Sequence, residues 1–208
     1  PSTGCKWTLI LLCTEADSLF AQHNPYQDHC TIIEITIEDD FLTESGFQKT
    51  IRYLREPNSF LLVSLPCTGG CLFNAGINAQ NPKCQETLKL HWSLFSRLWK
   101  QYRRLYDSCG SFNTIFEWPR RCTYWLLRKV YKHFKDLNMF YADFDGCQYG
   151  LKPRSTKSQL EHPKNYHLKP WRFATNIPTL LPAFNKLCSG QSGDHKHVAI
   201  EGSDAKYT

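Results

Sequence analysis

No apolar stretch of this chain approaches the roughly 18 residues that a membrane span requires. The best candidate, Trp7–Cys13, is short and flanked by polar residues, so no membrane partner is expected. No internal repeat is present, which excludes a solenoid or a propeller. A signal-peptide pattern is missing too; the chain opens Pro-Ser-Thr without Met, as expected of a processed product or a piece of a larger polypeptide or assembly. An acidic excess is absent: 25 Lys and Arg against 19 Asp and Glu leave a formal charge of +6. That balance favours an anionic partner, nucleic acid first. Disulfide staples are not expected either. The ten cysteines are scattered at positions 5, 13, 30, 67, 71, 84, 109, 122, 147 and 188. Several fall inside strand-like or helix-like segments, and 208 residues bury a core without cross-links. Mostly buried free thiols in an intracellular, reducing compartment are the expectation, with nucleus and organelle not distinguished.

What the chain does have is aromatic and aliphatic mass: 41% hydrophobic residues, including six Trp, ten Tyr and thirteen Phe. Trp7–Thr14 reads as a first buried strand, Thr31–Ile37 as a second and Phe60–Leu65 as a third. Asn113–Glu117 and Met139–Phe144 read as a fourth and fifth, and Trp171–Thr175 as an edge strand. Between them, Ser45–Arg55 looks like a short amphipathic helix and Cys84–Tyr106 like a long one, with Leu88, Trp92, Phe95, Trp99, Tyr102 and Tyr106 at helical spacing. A further helix is expected over Thr123–Leu137, with Tyr124, Leu127, Val130, Tyr131 and Phe134 inward. Strands alternating with helices give an α/β domain over 1–188 with a mostly parallel sheet. The remainder, 189–208, is polar and expected to be loosely ordered.

The third strand ends abruptly in Pro66-Cys67-Thr68-Gly69-Gly70. Ligands of open α/β sheets sit beyond the carboxyl ends of the strands. A cysteine held there is therefore well placed to act as a nucleophile. The next strand ends in Glu117-Trp118-Pro119. This pairing resembles the cytosine-C5 DNA methyltransferases, whose Pro-Cys loop carries the nucleophile and whose following strand ends in a Glu that binds the cytosine. It is closest to divergent, compact methyltransferase-like domains of mobile-element or viral polyproteins, whose Ser-x-Pro-Cys-Thr-x-Gly-like core is matched from Ser64 onward. The resemblance implies a Rossmann-like class I methyltransferase fold using S-adenosylmethionine. In it Cys67 would attack C6 of cytosine, and Glu117 would hold the ring at N3 and the 4-amino group. The base would leave the duplex for a pocket with aromatic walls, for which Trp118 and Phe73 are candidates.

The departures from that family are specific. Its Gly-rich methyl-donor loop is replaced by Cys13-Thr14-Glu15-Ala16-Asp17-Ser18. Small residues at Thr14, Ala16 and Ser18, with Asp17 and Pro66, would then have to cradle the donor. One β-α unit is missing before the Pro-Cys strand. The acid that holds the donor's nucleoside is consequently open among Glu34, Glu38, Asp39 and Asp40, with Glu38 and Asp40 carried forward. The family's Gln-x-Arg-x-Arg motif and its target-recognition insertion are missing. A silent, basic, nucleic-acid-binding role in a larger assembly is the alternative these departures favour.

Two further groups stand out. Arg120, Arg121, Lys152, Arg154, Lys157, Lys164 and Lys169 would flank the Cys67 pocket and contact phosphates. Cys188-x6-His195-x-His197, with Cys147 or another thiol, could complete a tetrahedral zinc set. That spacing is not a specific one, so no metal is expected. Tyr141-Ala-Asp143 and Phe144-Asp145-Gly146 look like metal motifs but lack the context of one.

Overall fold

The computed structural model describes residues 6–14, 24–153, 156–161, 164–193 and 195–200, with backbone alone at 156–158. Six strands form one sheet: β1 (Trp7–Leu12), β2 (Cys30–Ile35), β3 (Ser59–Val63), β4 (Asn113–Pro119), β5 (Phe140–Asp145) and β6 (Pro170–Thr175), in the order β2-β1-β3-β4-β6-β5. β1 pairs in parallel with β2 and with β3, and β3 with β4, while β6 runs antiparallel to both β4 and β5. The sheet is therefore mixed, five strands pointing one way and one the other. β6 is not the edge strand expected from its Pro170 and its short polar flanks; β2 and β5 are the edges. Pro170 is tolerated because it stands at the first position of β6, where the missing N–H interrupts least of the ladder.

Buried residues of three described helices share one core cluster with one face of the sheet. α1 (Glu44–Leu54) starts at Thr43, whose Oγ1 accepts from Gly46 N–H at 3.1 Å. Gly46 is required because a Cβ there would collide with the Asp39 and Asp40 carbonyl oxygens. α2 (Leu72–Gly76) is a single short turn after the Pro-Cys loop. α3 (Pro82–Cys109) starts on Asn81, which accepts from Lys83 N–H at 3.0 Å, with proline at its first turn. It stops at Gly110, whose φ of 70° an L side chain would resist. Phe95, Leu98, Trp99, Tyr102 and Leu105 recur at helical spacing and are buried. Opposite them lie Ile10, Leu12, Leu61, Val63, Phe116 and Trp118, alternate residues of three adjacent strands.

The helix expected over Thr123–Leu137 is two pieces. Thr123–Leu126 is a 3₁₀ turn, Leu127 is extended (φ −67°, ψ 126°), and α4 spans Arg128–Asp136. The break rotates the inward set: Tyr124, Val130 and Phe134 are buried, Tyr131 is exposed, and His133 is buried instead. The final helix, α5, covers Thr156–Glu161. Tyr124 stacks on Phe95 with ring centroids 3.8 Å apart, and Trp118 meets Trp125 edge-on at 4.9 Å. This aromatic cluster fixes the carboxyl ends of β3 and β4. Nine described cysteines are free, two of them (Cys122 and Cys147) buried and the rest half-buried. Among the described residues no helix is long and apolar enough to cross a membrane.

Candidate functional site

The strand order reverses about β1, with β2 on one side and β3 on the other, and in open α/β sheets the place for a ligand is beyond the carboxyl ends of such strands, here β1 and β3. The Pro-Cys loop leaves β3 at that point. Trp118 Nε1 donates to the Leu65 carbonyl at 2.7 Å, which ties the loop's root to β4. Trp118 is thus core, 1% exposed, and not a pocket wall as expected. Phe73 is 60% exposed on α2. Gly69 and Gly70 lie flat on the 3₁₀ turn: a Cβ would come within 2.5 Å of Tyr124 Oη at Gly69, and within 2.8 Å of Cys122 Sγ at Gly70. Cys67 itself has φ −96° and ψ 0°. That is the sparsely populated bridge region, where active-site residues are often held.

Register brings the second residue in. The β3–β4 ladder ends at Val63↔Phe116, so Ser64 stands opposite Glu117, and its Oγ donates to Glu117 Oε2 at 3.3 Å. The reversed strand brings the third. Because β6 runs antiparallel, its amino end lies at the carboxyl ends of β4 and β5, and Lys169 immediately precedes it. Burial pushes the Glu117 carboxyl up, with Lys169 and Ser64 opposing. Burial pushes the Lys169 ammonium down, with Glu117 and Cys67 opposing. The Cys67 thiol is raised from 9.0 to about 11, by burial first and by the Glu117 charge next, while Lys169 pulls it back. Cys67, Glu117 and Lys169 thus share one electrostatic environment, and Cys67 is not the low-pKa thiol that its strand-end position suggested. Lys169 was read from the sequence as a phosphate contact; only the reversal of β6 turns it inward.

The carboxyl end of β1 has its own peculiarity. Cys13, directly after β1, adopts φ 63°, a left-handed conformation normally left to glycine. Its thiol is pushed up to about 12 by burial and by Asp40. Thr14 Oγ1 and Glu34 Oε1 are buried and accept from no described group. Asp39 is committed elsewhere, to Lys49 at 2.6 Å and to Thr36 N–H at 3.1 Å. Asp40 caps Leu42 N–H at 3.1 Å from an exposed turn, and Glu38 is exposed. Ala16, Asp17 and Ser18 lie outside the described residues, and Pro66 is an exposed residue between Leu65 and Cys67.

The basic residues disperse. Arg120 is 3.6 Å from Asp145 Oδ1 and largely covered. Arg121, Lys152 and Lys164 are exposed, Lys152 with its ammonium 5.3 Å from the Tyr166 ring centre. Arg154 and the Lys157 side chain lie outside the described residues. On α1 and α3, Arg104 is held by the Glu44 carboxylate at 2.9 Å over the Phe47 ring. Asp143 is bridged to Arg172 at 2.6 and 2.9 Å, and Asp145 accepts from Cys188 N–H through Oδ2 at 2.8 Å.

A second constellation forms past the end of β5. Cys147, Cys188, His195 and His197 converge, their ligand atoms all within 4.8 Å of one another. Cys188 and the two histidines were recognisable by spacing; Cys147 is brought to them by the turn Gly146–Tyr149. From Ser189 onward the described residues make the bridges Ser192↔His195 and Tyr166↔His197. A cavity of about 350 Å³ also exists, but it lies at the opposite, amino edge, between Trp7, Glu56, Ser59 and Asn113. No thiol, histidine or lysine lines it. No family model, curated protein or solved structure matches the chain.

Proposed function

We propose that the carboxyl edge of the sheet is a site for S-adenosylmethionine-dependent methyl transfer to cytosine in nucleic acid, DNA ahead of RNA, in a compact class I methyltransferase-like fold. One observation carries the reading: a cysteine, a carboxyl whose pKa burial raises and a lysine interact electrostatically at the carboxyl ends of β3 and β4, where the antiparallel β6 begins. S-adenosylmethionine, when bound, supplies an electrophilic methyl group. The left-handed turn at Cys13 and the unpartnered acceptors Thr14 Oγ1 and Glu34 Oε1 fit its amino and hydroxyl donors, and these residues would hold it.

Cytosine C5 is a poor nucleophile until a group adds across the 5,6 bond. The Cys67 sulfur adds at C6, forming a C–S bond and moving electron density to C5. Glu117, its carboxyl pushed up by burial, would hydrogen-bond N3 and take up the charge that develops there. The Lys169 ammonium opposes the rise of the Cys67 thiol and so favours the thiolate. Methyl transfer to C5 would release S-adenosylhomocysteine; loss of the C5 proton to water would then break the C–S bond, free the Cys67 thiolate and restore the 5,6 double bond. Labelled methyl transfer to cytosine-containing oligonucleotides tests this. Label in 5-methylcytosine is expected, lost in Cys67→Ala and reduced by about 10²–10³ in Glu117→Gln.

The silent, nucleic-acid-binding alternative rests on the thiol raised to about 11 and on the donor turn without glycine. It predicts oligonucleotide binding with no transfer at any pH.

A further inference from the structure

We infer that Cys147, Cys188, His195 and His197 form a structural zinc site that clamps the chain's end onto the sheet and holds Lys169 in place. Zinc bonds of about 2.0–2.1 Å to nitrogen and 2.3 Å to sulfur, arranged tetrahedrally, separate N···N by ~3.3 Å and S···N by ~3.6 Å. The observed separations are 3.1 Å between the two histidine Nε2 atoms, 3.4 Å from Cys188 Sγ to His195 Nε2, and 3.6 Å to His197 Nε2. Two imidazole nitrogens and two sulfurs that all lie within 4.8 Å of one another are a ligand set. Two thiolates and two imidazoles suit zinc, and four protein ligands leave no open position for catalysis.

The surroundings are those of a supported site. Gly190 N–H donates to Cys188 Sγ at 3.3 Å, which favours the thiolate. Cys188 N–H is anchored on Asp145, and His197 N–H on Gln191 Oε1 at 3.2 Å. Tyr166 stacks on His195 with ring centres 5.1 Å apart.

The role follows from what lies between the ligands. Cys147 sits just past β5, and the other three ligands come forty or more residues later in the sequence. Between them runs the segment leading into β6. Gly146 N–H donates to the carbonyls of Leu168 and Lys169 at 2.8 and 3.0 Å. On its other side Tyr166 N–H donates to Lys196 O, and Val198 N–H to Tyr166 O, at 2.9 and 3.0 Å. The backbone that presents Lys169 to Glu117 and Cys67 is therefore gripped on both sides by metal-ligating segments. The site itself does not depend on the chemistry assigned to Cys67.

The test uses the full chain, purified without a histidine tag. Elemental analysis is expected to find about one zinc per chain. Exchange for Co²⁺ should give the intense visible bands of tetrahedral cobalt with thiolate charge transfer in the near ultraviolet. Cys188→Ala and His195→Ala should lose both signals, whereas His197→Cys and the distant Cys84→Ala should keep them. Chelation should lower the unfolding midpoint by roughly 10 °C and speed hydrogen exchange at Tyr166, Gly146 and Val198. A folded wild-type chain that holds no zinc and gives only octahedral cobalt overturns the site. A tetrahedral spectrum that survives Cys188→Ala does the same. Unchanged exchange at Tyr166 and Gly146 after zinc removal overturns the clamp.

Discussion

Alkylation of Cys67 reads the charges around it directly. With the thiol at about 11 against an ordinary 9.0, the thiolate fraction at pH 8 is about 0.001 instead of about 0.1. A more basic thiolate is also a better nucleophile, which at a Brønsted slope of about 0.4–0.5 recovers nearly tenfold. The net expectation is iodoacetamide labelling about tenfold slower than for an unperturbed thiol, before any steric protection. Cys13 and Cys122, raised to about 12, should react more slowly still. Glu117→Gln removes the charge that raises the thiol and should speed Cys67 labelling about fivefold. Lys169→Met removes the opposing charge and should slow it by a similar factor. Timed quenching, digestion and mass spectrometry would give the rates, with urea-unfolded controls in which the three proteins react alike. If the two substitutions shift the native rate in the same direction, or neither shifts it, the three groups do not share one environment and the site as described here fails.

Two more outcomes follow from the same structure. His133, 4% exposed among the rings of Trp99, Tyr102 and Tyr106, has its pKa lowered from 6.5 to about 4 by burial. A histidine depressed in the folded state gives stability that is complete above pH 6.5 and lost as pH falls toward 4, about 3 kcal/mol in all. His133→Phe should flatten that part of the profile in urea titrations at pH 7.5 and 4, and a parallel loss in both proteins would contradict it. For nucleic acid, each of Arg121→Ala, Lys152→Ala and Lys164→Ala should reduce the slope of log affinity against log salt by about one; oligonucleotide binding indifferent to salt would remove these residues from the interface.

The parts of the fold that could be read from sequence are those decided locally. The run Phe60–Leu65 closed by Pro66 announces a strand with a loop cysteine, and the period of Phe95, Trp99 and Tyr102 announces a helix. Glu117 could be placed near Cys67 because consecutive parallel strands share an edge. What escaped depends on pairing between distant segments. The insertion of β6 between β4 and β5 has no local signature, since its Pro170 and basic flank read as an exposed edge. Lys169 is hidden for the same reason. The kink at Leu127 carries neither glycine nor proline and is set by tertiary packing of Tyr124 and Trp125. Cys147 could be named from sequence only as one thiol among several for the Cys/His cluster, and the turn after β5, folded against residues 188–197, is what singles it out. At Cys13 a sequence scan for glycine misses the left-handed turn altogether.

The most direct measurement of the proposed chemistry uses an oligonucleotide bearing 5-fluorocytosine, incubated with the full chain and S-adenosylmethionine. Fluorine at C5 cannot leave as the proton does, so after addition and methylation the C–S bond cannot break. A covalent protein–oligonucleotide product is expected, with the adduct mapped to the peptide containing Cys67, dependent on S-adenosylmethionine and absent in Cys67→Ser. An adduct on another residue, or salt-sensitive binding with no adduct from either DNA or RNA, would contradict the assignment of Cys67 as the nucleophile.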